Sequence, residues 1–182
     1  DCLASRDVVT VLTAADIPGD NDASPVFGDD PVFAENTVEY HGQAIFAVVA
    51  HSAKAARIAA AKARITYQDL PSILTIDDAL AQNHYLETPY VLTTGTVETA
   101  LTTAANTLSG AIRIGGQEHF YLEGQAAYAL PGEAGDMVIS VSSQHQTEVQ
   151  HKVAQALGVP FQAVTVDVRR MGGGFGGKES QS

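Results

Sequence analysis

The chain has 182 residues, a pI near 4.7 and a formal net charge of −11, with 45% hydrophobic and 17% charged residues. That composition can bury the core of one or two small domains, and its acidity sets it against polyanions, so nucleic acid is excluded as an expected partner. No apolar run reaches the ~18 residues of a membrane span, residues 1–6 lack the basic-then-apolar order of a secretory signal, and the single Cys2 excludes an internal disulfide. A soluble, cytoplasmic protein with no membrane partner is expected.

Residues 7–12 are β-branched and predict a strand, closed by the turn-forming Pro18-Gly19. Residues 19–31 are rich in Gly, Asp, Asn, Ser and Pro and predict an irregular, solvated loop. Val38-Glu39-Tyr40 and the apolar run 44–50 flank His41-Gly42-Gln43, a pattern that predicts two strands round a turn, the second covered on both faces. Ser52 is placed to cap an alanine-dominated helix over 53–64, with Ala56, Ile58, Ala59 and Ala63 inward and Lys54, Arg57 and Lys62 outward. Residues 65–67 resume β character, Leu70-Pro71 end it, and 75–81 predict a short capped helix.

From Gln82 to Thr94 periodicity disappears, and the Thr-rich stretch 96–108 predicts one or two extended strands. Residues 126–130 and 136–142 predict strands joined by a hairpin through Pro131-Gly132, which brings Gln144 and His145 to a strand end. Residues 147–157 carry Val149, Val153 and Leu157 at four-residue steps, an amphipathic helix stopped by Gly158 and Pro160. Residues 163–168 predict a last strand. The class is α+β, in two parts: 1–82, a linker at 83–95, and 96–182.

After that strand, residues 172–177 set five glycines round Phe175 and lead into Lys178-Glu179. Such a run can bring several backbone N–H groups to an oxygen-rich ligand. A nucleotide phosphate fits the Gly172 to Lys178 spacing, but Glu179 occupies the place of the Mg²⁺-binding hydroxyl and would repel it. A dinucleotide fits Gly172, Gly174 and Gly177, but too little sequence follows for the helix and acidic residue it needs. A pterin-type metal cofactor approached by backbone amides, with Phe175 as a wall and Glu179 free for substrate, is the third reading; a plain mobile glycine run is the fourth. Gln117, after Gly115-Gly116, offers N–H donors to a metal oxo group or serves only as a turn residue. Glu118 and His119 are adjacent and would point to opposite faces of a strand, and no His or Cys set has metal-ligand spacing, so a protein-coordinated zinc or copper is not expected.

The words Gly115-Gly116-Gln117-Glu118-His119-Phe120-Tyr121-Leu122-Glu123 and Arg170-Met171-Gly172-Gly173-Gly174-Phe175-Gly176-Gly177-Lys178-Glu179, separated by strand, helix and strand, resemble the molybdenum-binding subunit of enzymes of the xanthine oxidase family. The resemblance extends back through Val38 to Gln43 and the alanine helix, and so covers practically the whole chain. Ala44 departs from the proline usual after Gly-Gln. It implies an α/β hammerhead domain followed by an incomplete mixed α/β molybdopterin-binding domain.

The resemblance further implies that Gln117 hydrogen-bonds a molybdenum oxo ligand without coordinating the metal, that Gly174 and the backbone at Phe175 and Gly176 approach the cofactor, and that Glu179 binds the purine. Aldehyde-oxidising relatives usually carry an apolar residue at the position of Glu179. The implied reaction, part of purine catabolism, is hydroxylation of hypoxanthine and xanthine to urate with oxygen from water. Electrons would leave through iron–sulfur clusters and FAD on partner domains or subunits of an oligomeric assembly, to NAD or oxygen. The general-base glutamate and purine-orienting arginines are expected beyond Ser182, and the N-terminal strand of the hammerhead before Asp1, so the chain is expected to be an inactive internal piece. An aldehyde or other N-heterocycle hydroxylase, or a non-catalytic assembly module, remains the alternative.

Overall fold

The computed structural model describes residues 1–179, in which two packing units form, one from residues 1–64 with the chain from Gln117 onward and the other from Ile65–Gly116. In the first unit, β1 (Val8–Leu12) pairs antiparallel with β2 (Ala47–Ala50), Val11 opposite Val48. The partner predicted for the apolar run, residues 38–40, forms no strand. Its backbone is taken by a turn instead: Gly42 adopts φ 96°, Gln43 N–H donates to Tyr40 O at 3.3 Å, and Glu39 N–H donates to the Gln43 side-chain oxygen at 2.8 Å. β2 is also half-exposed rather than covered on both faces, with Val49 40% accessible.

Helix α1 (Ala53–Ala60) starts as predicted, the Ser52 hydroxyl accepting from Ala55 N–H at 3.1 Å, but ends four residues early at Ala60, with Ala61 as its C-cap. Ala59 is its buried anchor and packs the helix towards the β1–β2 pair, whereas Ile58, expected inside, is 51% exposed. A short helix with little sheet to cover has one inward stripe, and Ile58 lies off it.

Residues 19–31, expected as an irregular, solvated loop, form no helix or strand, but are held in place together with Val32 and Phe33. Gly19 and Asp20 N–H donate to Ala156 and Gln155 O, and Asn21 makes two bonds to the Phe33 backbone. Lys152 donates to Asp22 at 3.2 Å. Burial pushes the Asp22 carboxyl up, but the Ser24 and Lys152 donors outweigh it and hold its pKa low.

The core sits under a three-stranded sheet of order β3–β4–β5: β3 (Ala127–Pro131) is antiparallel to β4 (Met137–Val141), and β4 is parallel to β5 (Val164–Asp167). The parallel pair requires a crossover, supplied by α4 (Gln146–Leu157), which ends on left-handed Gly158 at φ 66°. Ile139, Val141, Val149, Ala154 and Val164 form the buried cluster, with Met137, Val153 and Val166 around it. Burying an Ile or Val side chain of this kind contributes about 1.5–3 kcal/mol.

The unit of residues 65–116 holds α2 (Ile76–Ala81), capped by the Thr75 hydroxyl, and α3 (Val97–Thr103). The β character expected at 65–67 does not become a strand, and the strands expected over 96–108 are replaced by α3. There the threonines satisfy themselves within the helix, Thr102 and Thr103 hydroxyls donating to Glu98 and Thr99 O at 2.9 and 2.7 Å. Without neighbouring strands to pair, β propensity has nothing to act on. No helix among the described residues is long and apolar enough to cross a membrane.

Candidate functional site

Because β4 and β5 run parallel, their carboxyl ends open on the same edge of the sheet, the position where α/β sheets commonly place ligands. β4 runs there into Ser142, Ser143 and Gln144, and β5 runs into the glycine loop. The two meet through the loop's backbone. The Gln144 side-chain oxygen accepts from Gly176 N–H at 2.9 Å and Lys178 N–H at 3.3 Å. In return Gln144 N–H and the Ser143 hydroxyl donate to Lys178 O at 2.7 and 3.1 Å. Gln125 adds a bond to Gly177 O at 3.0 Å, and Gly177 N–H closes a turn on Gly174 O at 2.8 Å.

A charged cluster lies beneath. Lys178 is fully buried and its Nζ reaches Glu123 Oε2 at 3.2 Å, Ser142 Oγ at 2.9 Å and the Tyr121 ring centroid at 4.7 Å. Glu123 Oε2 also accepts from Ser142 Oγ and Gly172 N–H, both at 2.6 Å. The Ser142 hydroxyl, the Gly172 N–H and then Lys178 hold the Glu123 carboxyl well below its ordinary value of 4.5, at about 2. Glu123 is therefore ionised at neutral pH, and the buried ammonium has its counter-charge.

Gly174, Phe175 and Gly176 are brought together in one turn, Phe175 at φ 52° and Gly176 at φ 89°. Gly174 is buried against Gln144, where a Cβ would overlap the amide. The Phe175 ring is 75% exposed and flanks Gly173. Among the described residues no acceptor meets the N–H groups of Gly173, Gly174 or Phe175. Among the described residues, three successive backbone donors thus stay without an acceptor on a turn beside an exposed aromatic ring, a chemistry that suits an oxygen-rich group.

Gln117 is not tied into this cluster. It is exposed, with no hydrogen bond to a described residue. Glu179 is exposed too and lines a separate cavity of about 230 Å³ with Asp22, Val32, Glu148 and Lys152. The stretch 117–123 is not extended as a strand: Phe120 is at φ 51°, His119 N–H donates to the Glu118 carboxylate at 3.1 Å, and the His119 ring packs against Gly177. Among the described residues no three His, Cys, Asp or Glu side chains converge on a metal-sized site. Glu123, Ser142 and Gln144 carried no local signal as site residues, since their partners lie 19 to 55 residues away.

Two family models match the chain: the aldehyde oxidase and xanthine dehydrogenase a/b hammerhead domain over residues 1–71, and the molybdopterin cofactor-binding domain over 77–182. Xanthine dehydrogenase/oxidase of Rattus norvegicus is 46% identical over 96% of the chain, and aldehyde oxidase 3 of the same organism is 41% identical over 100%. The chain spans 13% of the length of each of these curated relatives. The structure of the aldehyde oxidoreductase from Desulfovibrio gigas superposes with a TM-score of 0.78 at 25% identity, covering 96% of this chain and 21% of that one.

Proposed function

We propose, from the premise that the chain belongs to the aldehyde oxidase and xanthine dehydrogenase family and carries its molybdopterin cofactor-binding domain, that it forms one wall of the active site of a molybdenum hydroxylase acting on hypoxanthine and xanthine. The observation that supports this best is the pinned glycine turn whose Gly173, Gly174 and Phe175 N–H groups meet no acceptor among the described residues. Those donors suit a group whose metal is held by its own sulfur ligands and whose outer atoms are oxygens, so the protein supplies backbone donors and shape. The bound molybdenum cofactor would supply the two-electron oxidation.

In this reading Gly174, Phe175 and Gly176 hold the cofactor by close backbone approach, and Gln117 donates to an oxo ligand without coordinating the metal. Phe175 excludes water on one side with its exposed ring. Glu179 accepts from purine N–H groups and favours the positive charge of a protonated ring. Residues 1–82 would be the hammerhead and 96–182 the cofactor-binding part, working in a cytoplasmic assembly whose iron–sulfur and FAD partners pass electrons to NAD or oxygen.

Exchange of Glu179 for Val in the complete enzyme tests the substrate. Xanthine turnover should fall at least tenfold more than aldehyde turnover, with molybdenum content unchanged; equal losses on both sink the purine role. A second reading, an aldehyde or other N-heterocycle hydroxylase, is supported by the 41% identity to aldehyde oxidase 3 over the whole chain, and the same assay separates the two.

A further inference from the structure

The glycine loop is held in two halves. Gly176, Gly177 and Lys178 are bonded through their backbones to Gln144, Ser143 and Gln125. Gly172, at the other end, exchanges bonds with one residue only among those described: its N–H donates to Glu123 Oε2 at 2.6 Å and its carbonyl accepts from Glu123 N–H at 3.3 Å. The same Glu123 oxygen takes the Lys178 ammonium at 3.2 Å. A single carboxylate atom thus ties the first residue of the loop to the last, and the N–H groups of Gly173, Gly174 and Phe175, without an acceptor among the described residues, lie in the span between.

The geometry points to Glu123 and Lys178 as positioning residues that latch the glycine loop shut and so preset its donors for the cofactor. This rests on the cofactor reading above. The chemistry of the pair fits the role. Each of the three ammonium hydrogens of Lys178 has a place to go: Glu123, Ser142 Oγ and the Tyr121 ring face. Ser142 in turn donates to Glu123 at 2.6 Å, so the hydroxyl fixes both partners. Hydrogen bonds to an ionised carboxylate are roughly twice as strong as neutral ones, so the Gly172 N–H is held more firmly than a carbonyl or amide would hold it. The arrangement leaves no slack at Gly172, where a Cβ would overlap that of Glu123.

Preorganisation matters here because donors fixed before binding lose no conformational entropy when the ligand arrives. A structural ion pair elsewhere in the sheet would raise stability without changing the exposure of three particular N–H groups. The latch does the second, and this separates the two roles in an experiment.

The test uses the complete natural protein, with its cofactor and stripped of it, carrying the paired exchange Glu123→Gln with Lys178→Met. Both replacements are neutral and of similar size, so no buried charge is orphaned. In the cofactor-free variant, amide hydrogen exchange over residues 172–178 should speed up about tenfold relative to wild type, while α4 and the midpoint of thermal unfolding stay nearly unchanged. In the loaded variant, molybdenum and pterin retained through dialysis should fall several-fold. Unchanged loop exchange overturns the latch, and faster loop exchange with full retention overturns its positioning role. Should the pair fail to fold, Glu123→Asp carries the same measurements, since it keeps the charge but withdraws the carboxylate by one methylene. A wild-type protein that never holds molybdenum would overturn the cofactor reading itself, an outcome seen in the metal content before any variant is made.

Discussion

Two glycine-bearing motifs of this chain have similar composition and opposite behaviour. Gly115 and Gly116 are exposed, and a Cβ added to either would meet nothing within 4 Å. The loop from Gly172 to Gly177 is gripped along most of its length, and four of its five glycines have side-chain atoms of Glu123, Tyr121, His119, Gln144 or Phe175 at the position a Cβ would take. Glycine content alone therefore does not decide whether a segment is packed. The difference comes from the partners, above all the carboxylate of Glu123 and the amide of Gln144, which convert a permissive backbone into a fixed one.

The contrast breaks most completely if the charge beneath the loop is removed on one side. Glu123→Leu should leave the buried Lys178 ammonium without its counter-ion and give the largest drop of the series in the midpoint of chemical denaturation; an unchanged midpoint would mean that Lys178 finds water instead. Gly172→Ala comes next. Its methyl would overlap Glu123, and overpacking of this kind costs about 1–3 kcal/mol, so the same denaturation assay should show a smaller but clear shift.

Acid sharpens the comparison more gently. The Glu123 carboxyl is held at about 2 against an ordinary 4.5, so its contribution is fully present above pH 4.5 and fades as pH falls towards 2. Acid titration followed by amide exchange, normalised to α4, should show residues 172–178 loosening across that window, and Glu123→Gln should abolish the dependence. The smallest effect is expected at the other motif. Gly116→Ala should alter stability by less than about 0.5 kcal/mol, as for a surface change that touches nothing, and a larger loss would show that Gly116 is packed.

How much of this was legible beforehand depends on the range of each interaction. Helix α4 was readable because its apolar spacing, Gly158 and Pro160 act within a few residues, and the β3–β4 hairpin because its turn is local. Helix α3 departs from the strand that its threonines predict: threonine favours strands only where neighbouring strands exist, and here the Thr102 and Thr103 hydroxyls bond inside the helix. The hairpin expected around Gly42 failed for a related reason, since β2 took β1, more than 30 residues back, as its partner. The loop over 19–31 has polar side chains that suggest water as their partner, yet they bond to neighbouring backbone and to α4.

By itself the sequence determined the local chemistry: which residues can turn, which carry charge, and that Phe175 stands in a run of five glycines beside Lys178 and Glu179. Only the tertiary structure decided which of these groups are free. The pairing of β4 with β5 brings Gln144 against Gly176, and the pairing of β3 with β4 carries Glu123, just ahead of β3, to the same end of the sheet and against Gly172, across separations of 32 and 49 residues. Hydrogen bonds at that range depend on strand order and register, which no residue spacing encodes, and among the described residues they close the N–H groups of Gly172 and Gly176 and leave those of Gly173, Gly174 and Phe175 without an acceptor.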